Sequence, residues 1–255
     1  MEPMSDHDRE LSSAFDAQAE RFEGAPVQSD PAALAKLVAF AALRPGARLL
    51  DAGCGPGLVA EAFLAAGHSV HGVDLSPEMV RRARQRCARF CEHARFDVGS
   101  VLDLRAGPFD AAVSRLVVHH VQDPLTFVRA QVARVAPGGV VIASDHTTDP
   151  EPERARWHQE IERARDRTHV RNLTAGELVD VLARAGLDQL SLVEEPFELD
   201  FDEWFDRGTP ALPKDEVRRR VLAGSARGFE PVRRADGGIS IRCVRVLVRG
   251  MRPSR

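Results

Sequence analysis

The chain has 255 residues, a formal net charge of −3 and 44% hydrophobic content, enough for one core with at most a small subdomain and too little for two large domains. No apolar run approaches the length that crosses a bilayer, the acidic polar stretch 1–10 lacks the apolar centre of a secretory signal, and Cys54, Cys87, Cys91 and Cys243 have no framework spacing. The expectation is a cytoplasmic chain with reduced thiols and no membrane partner. Of 35 basic residues only Lys36 and Lys214 are lysine, and tyrosine is absent. The stretch 206–255 carries 13 basic and 5 acidic residues without aromatic interleaving. It reads as a solvated helix and a strand with arginines on one face, rather than as a nucleic-acid surface.

Hydrophobic period predicts two helices first, over 8–22 and 30–43, the second with Asp30 as cap and Pro31 in its first turn. An apolar strand follows at 47–52, then a glycine turn and a helix ending near Ala66. Residues 69–73 read as the second strand, and Ser76-Pro77 opens the next helix. Strands three, four and five fall at 93–98, 109–114 and 139–144, with a helix over 123–135 between the last two. Repeated strand–helix units require a parallel sheet covered on both faces, with right-handed crossovers. Beyond Asp145 the texture changes. Residues 151–168 are strongly charged at helical spacing, and Thr174 with Glu177 forms a capping-box pattern for a helix ending near Gly186. A sixth strand is expected at 187–193, a loop holding Trp204, a helix at 213–227, a turn at Gly237-Gly238 and a last strand over 239–248. A hairpin there makes the last strand antiparallel.

The chemistry begins at Asp51-Ala52-Gly53-Cys54-Gly55-Pro56-Gly57. Alternate glycines after an apolar strand let the backbone turn tightly and approach a ligand, delivering it to a helix amino end. Asp74, at the carboxyl end of the second strand, stands where a carboxylate accepts ribose hydroxyls. Together they predict a nucleoside ligand. A dinucleotide fingerprint needs a third glycine at position 58, which is Leu58, and an oxidoreductase Tyr-x-x-x-Lys dyad is impossible without tyrosine.

At these residues the chain resembles the class I methyltransferases that use S-adenosyl-L-methionine (SAM) and release S-adenosyl-L-homocysteine. Phe109-Asp110-Ala111-Ala112-Val113, His119-His120-Val121-Gln122-Asp123-Pro124 and Arg134-Val135-Ala136-Pro137-Gly138-Gly139 extend the resemblance to the branch with ubiquinone and menaquinone methyltransferases. The resemblance implies a Rossmann-like, doubly wound α/β fold: a mostly parallel seven-stranded sheet, its last strand antiparallel, with an N-terminal helical lid at 1–44. The SAM-binding domain would span 45–255, with a substrate-cap insertion around 146–172. Carried over, Gly53, Gly55 and Gly57 approach the methionine half of SAM, and Asp51 holds the loop and the amino group. Asp74 takes the ribose and Leu75 packs on adenine. Ser100, in place of a usual Asp, and Val101 lie near the adenine, while Arg115 and Leu116 border the methionine portion. Phe22 holds the place of a closing tyrosine and packs without its hydroxyl.

Ser114-Arg115-Leu116-Val117 replaces the N/D-P-P-Y of nucleobase or amide-nitrogen methylation. The expected reaction is in-line transfer to a small secondary-metabolite or quinone-like acceptor, by O- or C-methylation, in a monomer or homodimer. His119 or His120, supported by His146, is expected to face the methyl group, since residues just past strands four and five converge at the switch point. Asp145, His169 and Arg171 are further candidates. A metal site at Asp145-His146 lacks tight ligand spacing, so none is expected. Two other readings fit the motif: a SAM-binding protein that transfers no methyl, and an RNA methyltransferase using the arginine-rich C-terminal region.

Overall fold

The computed structural model describes residues 5–254, so residues 1–4 of the acidic N-terminal stretch lie outside the described residues. The chain opens with α1 (Asp6–Glu23), α2 (Pro26–Ser29) and α3 (Pro31–Ala41). It continues through β1 (Arg48–Ala52), α4 (Leu58–Ala65), β2 (Ser69–Asp74), α5 (Pro77–Arg86), β3 (Ala94–Val98), β4 (Phe109–Arg115), α6 (Pro124–Arg134) and β5 (Val135–His146). The second half holds α7 (Pro152–Arg165), α8 (Ala175–Arg184), β6 (Asp188–Asp200), α9 (Phe201–Asp206), α10 (Lys214–Val221), β7 (Phe229–Arg233) and β8 (Ile239–Met251). Local chemistry sets many of the helix starts. The side chains of Asp30, Ser76 and Asp123 accept first-turn N–H groups ahead of a proline, and Thr174 with Glu177 makes a reciprocal capping box.

The sheet order is β3-β2-β1-β4-β5-β8-β6, and β7 also pairs with β8. β1 to β5 are parallel, while β8 runs antiparallel to β5, β6 and β7. Both faces are covered, so adjacent strand residues feed different cores. Leu49 packs with Leu37 of α3 and Phe63 of α4, and Leu50 with Val128 of α6 and Leu182 of α8.

Two departures from the sequence reading bear on function. Among the described residues the sheet has eight strands rather than seven, because 229–233 forms a short strand that pairs with β8 beyond Arg245, where the pairing of β8 with β5 has ended. Pro231 and the two flanking charged residues hide it, since proline and charge mark an edge strand poorly. The expected loop around Trp204 is α9, capped by Asp200. Phe201, Trp204 and Phe205 pack with Ile161 of α7, Val217 of α10 and Ile241 of β8 in a third core beyond the carboxyl ends of the parallel strands. No helix of the described residues is long and apolar enough to cross a membrane.

Candidate functional site

A cavity of about 380 Å³ opens at the carboxyl ends of β1, β2 and β4. The glycine turn forms its floor. Gly53, Gly55 and Gly57 have φ of +77°, +50° and +85°, a left-handed region that side chains resist. Their neighbours differ. A Cβ on Gly55 meets nothing within 4 Å, so that backbone faces the open cavity, whereas one on Gly57 would sit 2.9 Å from Ala83 Cα. Gly57 does not line the cavity; it lets α4 pack on α5.

Asp74 fastens the turn from the next strand. One carboxylate oxygen accepts the Gly55 N–H at 2.8 Å and the other the Ser76 N–H at 2.9 Å, leaving further acceptor capacity on both. Asp51 does not line the cavity but lies beneath it, buried, with Oδ2 lacking any hydrogen-bond partner. Burial, then the charge of Asp74, raises its carboxyl to about 7, with Arg115 only partly opposing. Leu75, Ser100 and Val101 line the cavity, as do Arg115, Leu116 and Phe22. Arg115 also donates to the carbonyls of Val27 and Gln28, at 3.1 and 3.0 Å, which ties α2 over the site.

Helix α1 roofs this cavity and is fixed by polar contacts. Ser12 Oγ donates to the Leu75 carbonyl at 2.9 Å, and Asp16 accepts from Ser76 Oγ and the Glu78 N–H. Glu23 pairs with both Arg82 and Arg86 at 2.6 Å. Phe15 meets Phe22 and His120 edge-on, with ring centres 5.3 and 5.0 Å apart.

A second, smaller cavity shares Phe22, Gln28, Leu116 and His120 with the first. His119, His146 and His169 line it, together with Glu162, Arg165, Asp166 and Arg207. The three expected histidines therefore occupy different places: His120 at the junction, His119 and His146 beyond it. Asp145 organises them. Its Oδ1 accepts His119 Nδ1–H at 2.6 Å and the His146 N–H at 2.7 Å, and Oδ2 accepts the His119 N–H. Burial alone would lower His119, yet the Asp145 carboxylate outweighs it and raises the imidazole above its ordinary value. Burial and the adjacent His119 instead push His120 down to about 4 and His146 to about 3. His120 donates Nδ1–H to the Thr168 carbonyl at 3.1 Å. Among the described residues His146 Nε2 is buried without a hydrogen-bond partner. His169 is held by Gln159 Oε1 at 2.9 Å, while Arg171 turns outward to Glu177 and takes no part.

Sequence reasoning missed Glu162, Arg165, Asp166 and Arg207. Two of them were within reach: His158, Ile161, Glu162 and Arg165 form one buried stripe of α7, the spacing of an inward face, and Asp166 follows as its cap residue. Arg207 carried no such signal, sitting one residue past a helix too short to show a period. The arginine-rich C-terminal region is largely paired: Arg218, Arg220, Arg227, Arg234, Arg242 and Arg245 each face a carboxylate. Among the described residues no group of three or more His, Cys, Asp or Glu is placed to hold a metal ion.

Residues 27–192 match the family described as "Methyltransferase domain". The chain is similar to the ubiquinone biosynthesis O-methyltransferase of Xanthomonas campestris pv. campestris, 40% identical over 109 residues, covering 42% of this chain and 46% of that protein. It thus spans about half the length of the curated relatives it matches. Among solved structures it resembles the YcgJ protein of Bacillus subtilis, with a TM-score of 0.78 and 25% identity over 87% of this chain and 98% of that one. It also shares the fold of the geranyl diphosphate C-methyltransferase of Streptomyces coelicolor A3(2), with a TM-score of 0.65 and 16% identity over 98% and 100% of the two chains.

Proposed function

The chain belongs to the methyltransferase-domain family, of the class I SAM-dependent kind, and from that premise we propose that it transfers the methyl group of SAM to a small-molecule acceptor in the second cavity. The first cavity suits the cofactor on its own chemistry: an open glycine turn, an unpartnered buried carboxylate oxygen on Asp51, and spare acceptor capacity on Asp74. When bound, the cofactor supplies a methyl group already activated on a sulfonium. In this reading Asp51, beneath the cavity floor, holds the turn and attracts the ammonium from below, with Gly53 and Gly55 beside the ligand, and Gly57 keeps the helix close. Asp74 takes the ribose hydroxyls, Leu75 and Val101 pack on the adenine, and Ser100 offers a polar contact. Arg115 and Leu116 border the methionine half, and Phe22 with Phe15 excludes water.

The single observation behind this reading is the meeting of the two cavities at Phe22, Gln28, Leu116 and His120. The chain's task there is to align the acceptor and exclude water, an effect worth roughly 7–11 kcal/mol when the geometry is right. His119 is the proton acceptor for a hydroxyl or an acidic carbon, in O- or C-methylation. Asp145 holds its Nδ1–H, fixing the tautomer and leaving Nε2 for the proton, the logic of a carboxylate–imidazole dyad. His120, neutral with its Nδ1–H fixed by Thr168, forms the junction wall, and His146 backs His119 with ring centres 5.8 Å apart. The paired C-terminal arginines leave little charge for RNA, which favours the small acceptor.

The test is S-adenosylhomocysteine formation across an acceptor library. His119→Ala should lower turnover about 10²–10⁴-fold with SAM affinity nearly unchanged. Because the base must be neutral and its pKa is raised, the rate should climb with pH above about 6.5, and Asp145→Asn should move that limb downward. Full activity in His119→Ala, His120→Ala and His146→Ala alike would end the proposal.

A further inference from the structure

The second cavity contains a guanidinium that, among the described residues, makes no hydrogen bond. Arg207 is 6% exposed and lines the cavity beside the histidines. The group has five N–H donors, yet among the described residues it makes no hydrogen bond, and its Nε is buried without one. Glu203 stands 3.7 Å from Nε, a loose ion pair beyond hydrogen-bond range, and that Oε1 is itself without a hydrogen-bond partner among the described residues. A charge left this way is costly to bury unless a ligand completes it.

Neither the carboxylates lining the cavity, Glu162 and Asp166, nor Asp145 behind its histidines supplies the missing hydrogen-bond partner. Asp166 accepts from the Thr168 N–H, the Thr168 and Thr209 hydroxyls, and Arg165. Asp145 is taken by His119 and His146. Glu162 faces His158 at 3.5 Å. Arg165, fixed by the Trp204 carbonyl at 2.8 Å, adds a second guanidinium to the same wall. Each of these carboxylates is already held ionised by its own basic and hydrogen-bonding neighbours. Asp145, Glu162 and Asp166 all lie below the ordinary carboxylate value although burial pushes them up. Burial, then Arg165, pulls Arg207 down to about 10.

Resting on the methyltransferase reading above, we propose that the acceptor is a small oxyanion, a carboxylate- or phosphate-bearing molecule, whose acidic group binds Arg207 and so sets its nucleophilic atom at His119. Ten of the residues that line this cavity are polar or charged, which disfavours a long isoprenoid chain there.

Calorimetry on the protein saturated with S-adenosylhomocysteine tests this, using benzoate, inorganic phosphate and uncharged benzamide as probes. At least one anion should bind saturably and benzamide should not; the anion that binds identifies the acidic group. Arg207→Met should weaken that binding roughly ten- to hundredfold, with Arg207→Lys intermediate. S-adenosylhomocysteine affinity should not change in either variant. A structural Arg207 would lower the melting temperature when lost, whereas an unpaired receptor predicts an anion-free Arg207→Met that melts at or above the wild type. Failure of both anions to bind the wild type, equal binding by Arg207→Met, or a lower melting temperature in that variant would overturn the proposal. Loss of S-adenosylhomocysteine binding by the wild type, with anion binding intact, would instead overturn the methyltransferase reading and leave the anion site standing.

Discussion

Asp51→Asn replaces an acid by its neutral isostere at the end of β1, and it should make the empty protein more stable while weakening the cofactor complex. Asp51 is 1% exposed, and its carboxyl rises from 3.8 to about 7 because it is buried beside Asp74. At about 1.4 kcal/mol per pH step, ionising it in the fold costs up to about 4 kcal/mol. That is a ceiling, because side chains relax and water enters; about 2 kcal/mol is the working expectation. The sign follows from proton linkage. The folded chain holds this proton more tightly than the unfolded one, so stability falls as pH rises between about 4 and 7. The asparagine variant lacks that titration. From about pH 5 to about pH 8 its stability relative to the wild type should therefore improve by about 2 kcal/mol, or roughly 4–8 °C in melting temperature for a chain of this size. Affinity for S-adenosylhomocysteine should move the other way, falling roughly tenfold or more, because the ammonium loses a charged partner. Scanning calorimetry of the cofactor-free proteins at both pH values, with titration calorimetry for the ligand, reads both effects. A stability gap that does not change with pH would refute the idea that Asp51 is held under electrostatic tension. Unchanged affinity would remove it from the site.

The neighbouring elements give sharper contrasts. Asp74→Ala should cost roughly 1.5–3 kcal/mol of cofactor affinity by calorimetry, since it loses a ligand contact and frees the Gly55 and Ser76 N–H groups; unchanged affinity would exclude it. Gly57→Ala should cost about 1–3 kcal/mol of stability, because the new Cβ meets Ala83 at positive φ, whereas Gly55→Ala, also at positive φ but with open space around its Cβ, should cost less stability and act mainly on binding; an equal loss of melting temperature with unchanged binding in both would contradict the division. Glu23→Ala should speed hydrogen exchange over 8–28 in the cofactor-free protein by releasing Arg82 and Arg86, with little change in global stability, since partly exposed pairs are worth about 0–1 kcal/mol each. Identical exchange rates would show that α1 is held by other contacts.

The first half of the chain was legible because its signals are local. The caps at Asp30, Ser76 and Asp123, the glycine turn and the acid at the end of β2 each announce a backbone geometry within a few residues. The second half depends on distant pairings. β7 exists because β8 outruns β5, and α9 because its aromatic residues find α7 and α10. No window of neighbouring residues contains either fact. The histidines show the same boundary. Their position past strand four was visible, but the difference between His119, raised by Asp145, and His120, lowered beside it, comes from a bond 26 residues away in sequence. Glycine identity was similarly ambiguous: Gly55 and Gly57 look alike in sequence, yet one faces a cavity and the other a helix.

The chain separates its duties along its length. Every residue lining the first cavity precedes α6's second turn, whereas all the walls private to the second, apart from Val27 and His119, come from His146 onward. Changes in the stretch between β5 and β8 can therefore reshape the second cavity and leave the walls of the first untouched. His119 and His120, placed just past β4, face that second cavity from the unchanged half and would keep their places through any such change.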